Sequence, residues 1–158
     1  MMRTYQIIDC RYTDELDMET FALVRDVEAD VLLPVVINDY YYDHDDEHEY
    51  GIYKCIKPGD YIKGYICINY EKLHEPTGET YFRLRDPYGG NMNPTFIGEF
   101  KVVSVEEDGR IVLQHPKYDV TLTTNSEISK QIESVPKTLC ISGELGLETF
   151  GNPWQEEK

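Results

Sequence analysis

Lys57-Pro58-Gly59-Asp60-Tyr61-Ile62-Lys63-Gly64-Tyr65-Ile66-Cys67-Ile68-Asn69-Tyr70 is the stretch that decides how this chain is read. Pro-Gly-Asp is turn chemistry, and a run in near-strict alternation follows it. Ile62, Gly64, Ile66, Ile68 and Tyr70 share one face; Tyr61, Lys63, Tyr65, Cys67 and Asn69 share the other. Successive side chains leave a strand on opposite sides, so this pattern predicts a half-buried β-strand. Gly64 stands mid-strand on the apolar face, where a missing side chain predicts a bend or bulge. Gly98 and Gly143 interrupt two later apolar stretches and carry the same expectation.

Upstream, Thr4–Tyr12, Phe21–Val24 and Val31–Ile37 read as strands, with Pro34 implying an edge or a bulge because it cannot donate to a ladder. Thr13–Glu19 is acidic and turn-like. Asn38–Tyr50 (NDYYYDHDDEHEY) places five carboxylates within residues 43–50, too much like charge to pack, and is expected to be an exposed loop. Downstream, Glu71–Pro94 is a connection rich in Gly and Pro. It holds one strand-like piece, Thr80–Arg85, with Phe82 and Leu84 on one face and Tyr81, Arg83 and Arg85 on the other. The turn-forming Asp86–Asn91 follows it.

Phe96–Val105 and Arg110–Gln114 flank Asp108-Gly109, a hairpin signal. Tyr118–Thr123 extends the sheet. Thr124-Asn125-Ser126-Glu127 fits a capping box, and Ile128, Ile132 and Val135 recur at helical spacing before Pro136, which predicts a short helix. Thr138–Leu147 reads as a strand broken or bent at Gly143, and a polar tail containing Trp154 closes the chain.

The fold class expected is mainly β, a β-rich α+β domain. From Tyr61 onward the order is bent strand, insertion, hairpin, short helix, bent strand. That order and the glycine placement resemble the OB-fold, a small Greek-key barrel with its helix between the third and fourth strands. The resemblance covers residues 58–148 and involves no motif; an SH3-like barrel or an α+β roll are the alternatives. Residues 1–57 would be an N-terminal β-rich extension carrying the acidic loop 43–50, and residues 149–158 a polar tail, all within one compact domain.

The chain has 158 residues, 41% of them hydrophobic and 28% charged, enough to bury a core. No apolar run is long enough to cross a membrane, and the N-terminus lacks a signal-peptide pattern. Cys10, Cys55, Cys67 and Cys140 form no CxxC pair, which removes zinc-ribbon and thioredoxin readings and suggests reduced thiols in a cytoplasmic protein. The formal net charge is −15, from 30 acids against 15 bases. Residues 1–50 hold 14 acids and three bases, so most of the surplus lies there. Such a chain repels phosphate backbones and anionic lipid and attracts basic partners.

His44, His48 and Asp45 are the metal candidates, since imidazole and carboxylate suit zinc, nickel or manganese; the segment is neither HExxH nor an EF-hand. A solvated loop is the simpler account, and no cofactor is assigned. No GxSxG, Walker A or GxGxxG is present. His74 and His115 each adjoin a proline turn and read as surface loop histidines, and Cys67 as a packed thiol. Tyr61, Lys63 and Tyr65, with Tyr81, Arg83 and Arg85, are the ligand-groove candidates, a stacking and cationic platform of the kind OB barrels offer single strands. The net charge opposes that use.

Tyr41, Asp43, Asp45, Asp46, Glu47 and Glu49 are the protein-binding candidates, an acidic surface flanked by tyrosine and suited to a basic protein. The reading is therefore a non-enzymatic protein-binding or regulatory module. A small-ligand protein or enzyme with a site at the barrel mouth, and a single-strand binder, are the alternatives.

Overall fold

The computed structural model describes residues 2–12, 20–37, 57–78, 81–85 and 94–149. The acidic run with its metal and protein-binding candidates, the stretch at 13–19, the turn at 86–91 and the tail lie outside them. The described chain is mainly β, with nine strands and one helical turn. It divides into two compact units, Met1–Tyr65 with Gly146–Lys158, and Ile66–Leu145. Strands β4 (Tyr61–His74) and β9 (Thr138–Thr149) each run through both.

In the first unit, β1 (Arg3–Tyr12), β2 (Thr20–Asp26) and β3 (Val31–Ile37) form an antiparallel meander. β1 also pairs antiparallel with the start of β4, from Arg3 opposite Gly64 to Gln6 opposite Tyr61. β3 pairs in parallel with the end of β9, Val36 opposite Gly146. The β2–β3 turn is built by Asp26, whose carboxylate accepts the amides of Glu28 and Ala29 at 3.0 and 3.1 Å. The same carboxylate receives Arg3 Nη1 at 2.8 Å, an ion pair whose side chains are 11% and 5% exposed. Tyr5, Ile7, Val24, Leu33, Val35, Ile62 and Leu147 fill the core. Pro34 is opposite Leu23 of β2, and β9 meets β3 only at Val36 and Ile37, so its missing N–H interrupts no described β3–β9 pair.

In the second unit, β6 (Thr95–Val105) is the central strand. It pairs antiparallel with β5 (Phe82–Arg85), with β7 (Ile111–Gln114) and with β9. β7 pairs with β8 (Thr121–Thr124), which runs parallel to β4 at Cys67 and Ile68. The Asp108-Gly109 hairpin forms as expected: Gly109 takes φ +94° and donates to Glu106, and Glu106 donates to Arg110. Phe82, Phe96 and Phe100 pack with ring centroids 5.7–5.9 Å apart over Ile66, Ile111, Leu113, Leu122 and Ile141.

The three glycines hold close approaches. A Cβ on Gly64 would stand 2.0 Å from the Glu148 carbonyl oxygen, within the first unit. One on Gly143 would stand 2.5 Å from Ile68 Cγ2 and 2.7 Å from the Asn69 carbonyl oxygen, within the second. Both mark the pairing of β4 with β9. Gly98 admits the Tyr81 carbonyl in the same way. β9 is one continuous strand through Gly143 and is not broken there.

The expected capping box does not form. The helix α1 is a single turn, Ile128–Gln131, with Glu127 making no side-chain cap and Ile132 already extended. Thr124 instead ends β8, where its hydroxyl accepts the Ile111 amide at 2.8 Å and donates to the Ser126 carbonyl at 3.1 Å. Too short to stabilise itself, the turn is held by burial of Ile128 and by the bonds from Ser129 to the Gly109 carbonyl.

Candidate functional site

Register in the second unit lines up a polar face. Arg83 and Arg85 alternate along β5, just after Tyr81, with Arg83 opposite Ile97 and Arg85 opposite Thr95. Along the β6–β9 ladder, Thr95 is opposite Glu144, Ile97 opposite Ser142 and Glu99 opposite Cys140. The intervening residues Phe96, Phe100 and Ile141 belong to the core, so Thr95, Ile97 and Glu99 of β6 share the other face with Ser142 and Glu144 of β9.

His74, the last residue of β4, joins this face. Its Nε2 lies 2.7 Å from Ser142 Oγ. The pair sits in a groove of about 480 Å3 lined also by Tyr70, Thr95, Ile97 and Glu144. Tyr70 departs from the strand pattern. Alternation places it with Ile62, Ile66 and Ile68, all buried, yet Tyr70 is 87% exposed. Its φ is +55°, a left-handed conformation that costs a non-glycine residue roughly 1–2 kcal/mol and turns the ring from the core row to the groove. Cys67, assigned by alternation to the outer face, is buried beside Ile66 and Ile68, with Sγ 3.7 Å from Asn69 Oδ1. It is a packed thiol.

Beyond the groove, the Tyr81 hydroxyl meets Cys140 Sγ at 3.2 Å. That bond, with burial and the nearby Glu99 carboxylate, pushes the phenol up to about 12. Glu99 is buried and accepts the Thr77 hydroxyl at 2.8 Å and the Thr77 amide. Arg83 stacks over the Tyr81 ring, its guanidinium carbon 6.0 Å from the centroid.

Both histidines differ from the surface loop positions expected of them. His74 ends a strand, half-buried. His115 is 1% exposed, stacked on Tyr118 at 4.8 Å and edge-on to Phe100 at 5.5 Å. Its Nδ1 accepts the amides of Lys117 at 3.1 Å and Tyr118 at 3.3 Å, so the neutral ring carries its proton on Nε2. The Tyr81 carbonyl lies on that side without reaching hydrogen-bond geometry, and burial pulls the imidazole below its ordinary range. The proline turn lies next to it, as read, but the ring folds inward to serve its own turn.

Of the groove candidates named from sequence, Tyr61, Lys63 and Tyr65 belong to the first unit and Tyr81, Arg83 and Arg85 to the second. Tyr61 and Lys63 are exposed and Tyr65 half-buried; the Arg85 side chain lies outside the described residues. Ser142 and Glu144 carried no sequence signal, because 68 residues separate Ser142 from His74 and only the β4–β9 pairing joins them.

The Ser142–His74 distance is that of a nucleophile and its base, but acyl transfer also needs oxyanion donors and a group orienting the second ring nitrogen. Ser142 lies inside a strand paired with β6 and with β4, where backbone amides serve ladders. No described residue hydrogen-bonds His74 Nδ1. Among the described residues no three His, Cys, Asp or Glu side chains converge as a metal site, and no described helix is long and apolar enough to cross a membrane. No known protein family, curated protein or solved structure matches this chain.

Proposed function

We infer that this chain is a non-enzymatic binding protein, a partner-recognition or regulatory module that meets a basic protein through acidic, tyrosine-flanked surface. The observation that carries the reading is the charge: −15 in 158 residues, with 14 acids against three bases in residues 1–50. Such a field accelerates encounter with a cationic partner and disfavours nucleic acid. The buried, reduced thiols Cys67 and Cys140 suit a reducing cytoplasm.

A small barrel in the second unit goes with this reading. Its pairings run β4 to β8, β7, β6 and β9, and β9 pairs back to β4, an order that supports closure. The helical turn follows a fourth barrel strand, β8, whereas an OB-fold helix follows the third, so closure is better supported than the OB order.

The test is association with a basic protein across salt. Affinity should fall steeply as the Debye length shrinks from about 30 Å at 0.01 M to about 8 Å at 0.15 M. Neutralising Asp43, Asp45, Asp46, Glu47 and Glu49 together should weaken it further. Binding indifferent to salt and to those changes would defeat the reading.

A further inference from the structure

We propose that the turn from His115 to Val120 is an acid-released catch: a proton on His115 frees this turn locally, while the strands around it stay paired. The first observation is how the turn is held. His115 donates its amide to the Val120 carbonyl at 2.8 Å, closing the loop between β7 and β8. Within the loop Pro116 has no N–H, and the next two amides, of Lys117 and Tyr118, both end on His115 Nδ1 at 3.1 and 3.3 Å. One ring nitrogen therefore holds two of the turn's donors. Asp119 is kept at φ +51°, a left-handed conformation that the freed backbone leaves.

The second observation is the setting of the ring. It is buried, stacked on Tyr118 of its own turn, edge-on to Phe100 of β6 and 6.0 Å from Phe82 of β5. The Tyr81 carbonyl is on the Nε2 side, and Lys117 sets a like charge beside a protonated ring. The Asp119 carboxylate of the same turn accepts Gln114 Nε2 at 3.1 Å. A proton on Nδ1 converts the acceptor into a third donor, pointed at two N–H groups. The ring then neither holds the turn nor keeps its charge cheaply among aromatic neighbours. It moves to water with Tyr118, already 44% exposed, and uncovers the edges of Phe82 and Phe100. The closed turn prevails above about pH 6.5 and opening grows below it, because the open turn binds the proton as an ordinary imidazole does and the closed one refuses it.

The test is amide hydrogen exchange by NMR on the full isotope-labelled chain, compared at about pH 7.5 and pH 5.5 after correction for intrinsic rates. Protection of the Lys117 and Tyr118 amides should fall about tenfold, the change in opening over that interval when the open state titrates near 6.5 and the closed state stays neutral. The amides of Val102 and Leu145, bonded to the Lys137 and Pro94 carbonyls, should keep their protection. His115→Asn retains a side-chain acceptor at the start of the turn and does not titrate, so its turn amides should be equally protected at both pH values. Loss at Val102 and Leu145 by the same factor as at Lys117 and Tyr118 would overturn local release, since the whole fold would then be opening. Unchanged protection at Lys117 and Tyr118 would overturn the catch, as would a His115→Asn protein that responds like wild type. If His115→Asn does not fold, the comparison of turn and strand amides in wild type decides alone.

Discussion

The Glu71 carboxylate accepts the backbone amide of Ser126 at 2.6 Å, and that of Asn125 at 3.1 Å. A strand residue distant in sequence thus satisfies two amides inside the Thr124–Glu127 stretch, where a local capping box was expected. Asn125 Nδ2 reinforces the junction by donating to Asn69 Oδ1 at 3.2 Å.

Replacing Glu71 should therefore loosen the exit from β8. Glu71→Ala should lower stability by about 2 kcal/mol in urea denaturation, since two charge-assisted bonds go at once. Glu71→Gln, which keeps an acceptor, should cost about half as much. Glu127→Ala should stay within about 0.5 kcal/mol, because Glu127 makes no cap. Equal losses at 71 and 127 would contradict this account.

His115 makes stability depend on pH with a defined sign. Its folded pKa lies below the ordinary value of about 6.5, chiefly through burial, so the unfolded chain binds a proton that the folded chain refuses. The neutral ring's contribution is complete above about pH 6.5 and is lost as pH falls below it. Protonating Nδ1 would also displace the Lys117 and Tyr118 amides. Wild type should lose more stability than His115→Leu between about pH 7.5 and pH 5.5, compared by urea midpoints. Parallel losses in the two proteins would remove His115 as the source.

Gly64→Ala tests the β4–β9 approach. The new methyl would fall 2.0 Å from a backbone oxygen, an atom that cannot swing aside. A loss of roughly 3 kcal/mol or more, or failure to fold, is expected. Gly59→Ala is the control with open space, where only the positive φ of +98° opposes a side chain, and about 1 kcal/mol is expected.

Asp26→Asn should cost about 3 kcal/mol, because it leaves the Arg3 charge in a setting only 11% exposed, opposite a neutral group. A double-mutant cycle with Arg3→Met should recover much of that loss, since removing both partners also removes the buried charge. Additive losses would show that Asp26 acts only through the Glu28 and Ala29 amides.

Tyr81 should titrate late. With labelled tyrosine carbons, its phenol should ionise near pH 12 in wild type, and lower in Cys140→Ala, which removes the principal cause of the shift.

The sequence by itself determined the strands. The strand opening at Tyr61, the Asp108-Gly109 hairpin and the apolar run at 31–37 all formed within a few residues of their expected bounds, because each depends on neighbours in the chain, although the alternation of the first gives way at the buried Cys67. The glycines were also legible as special, though as openings for another backbone. Tertiary structure decided the rest. Which strands pair is a matter of distant partners, and only the β4–β9 pairing sets His74 against Ser142. Alternation failed at Tyr70 because a backbone turn overrode the pattern, and the capping box failed because the Thr124 hydroxyl serves Ile111 of the neighbouring strand while Glu71, distant in sequence, takes the adjoining Asn125 and Ser126 amides. A local motif states what a segment prefers; the folded chain supplies competitors that no window of sequence contains.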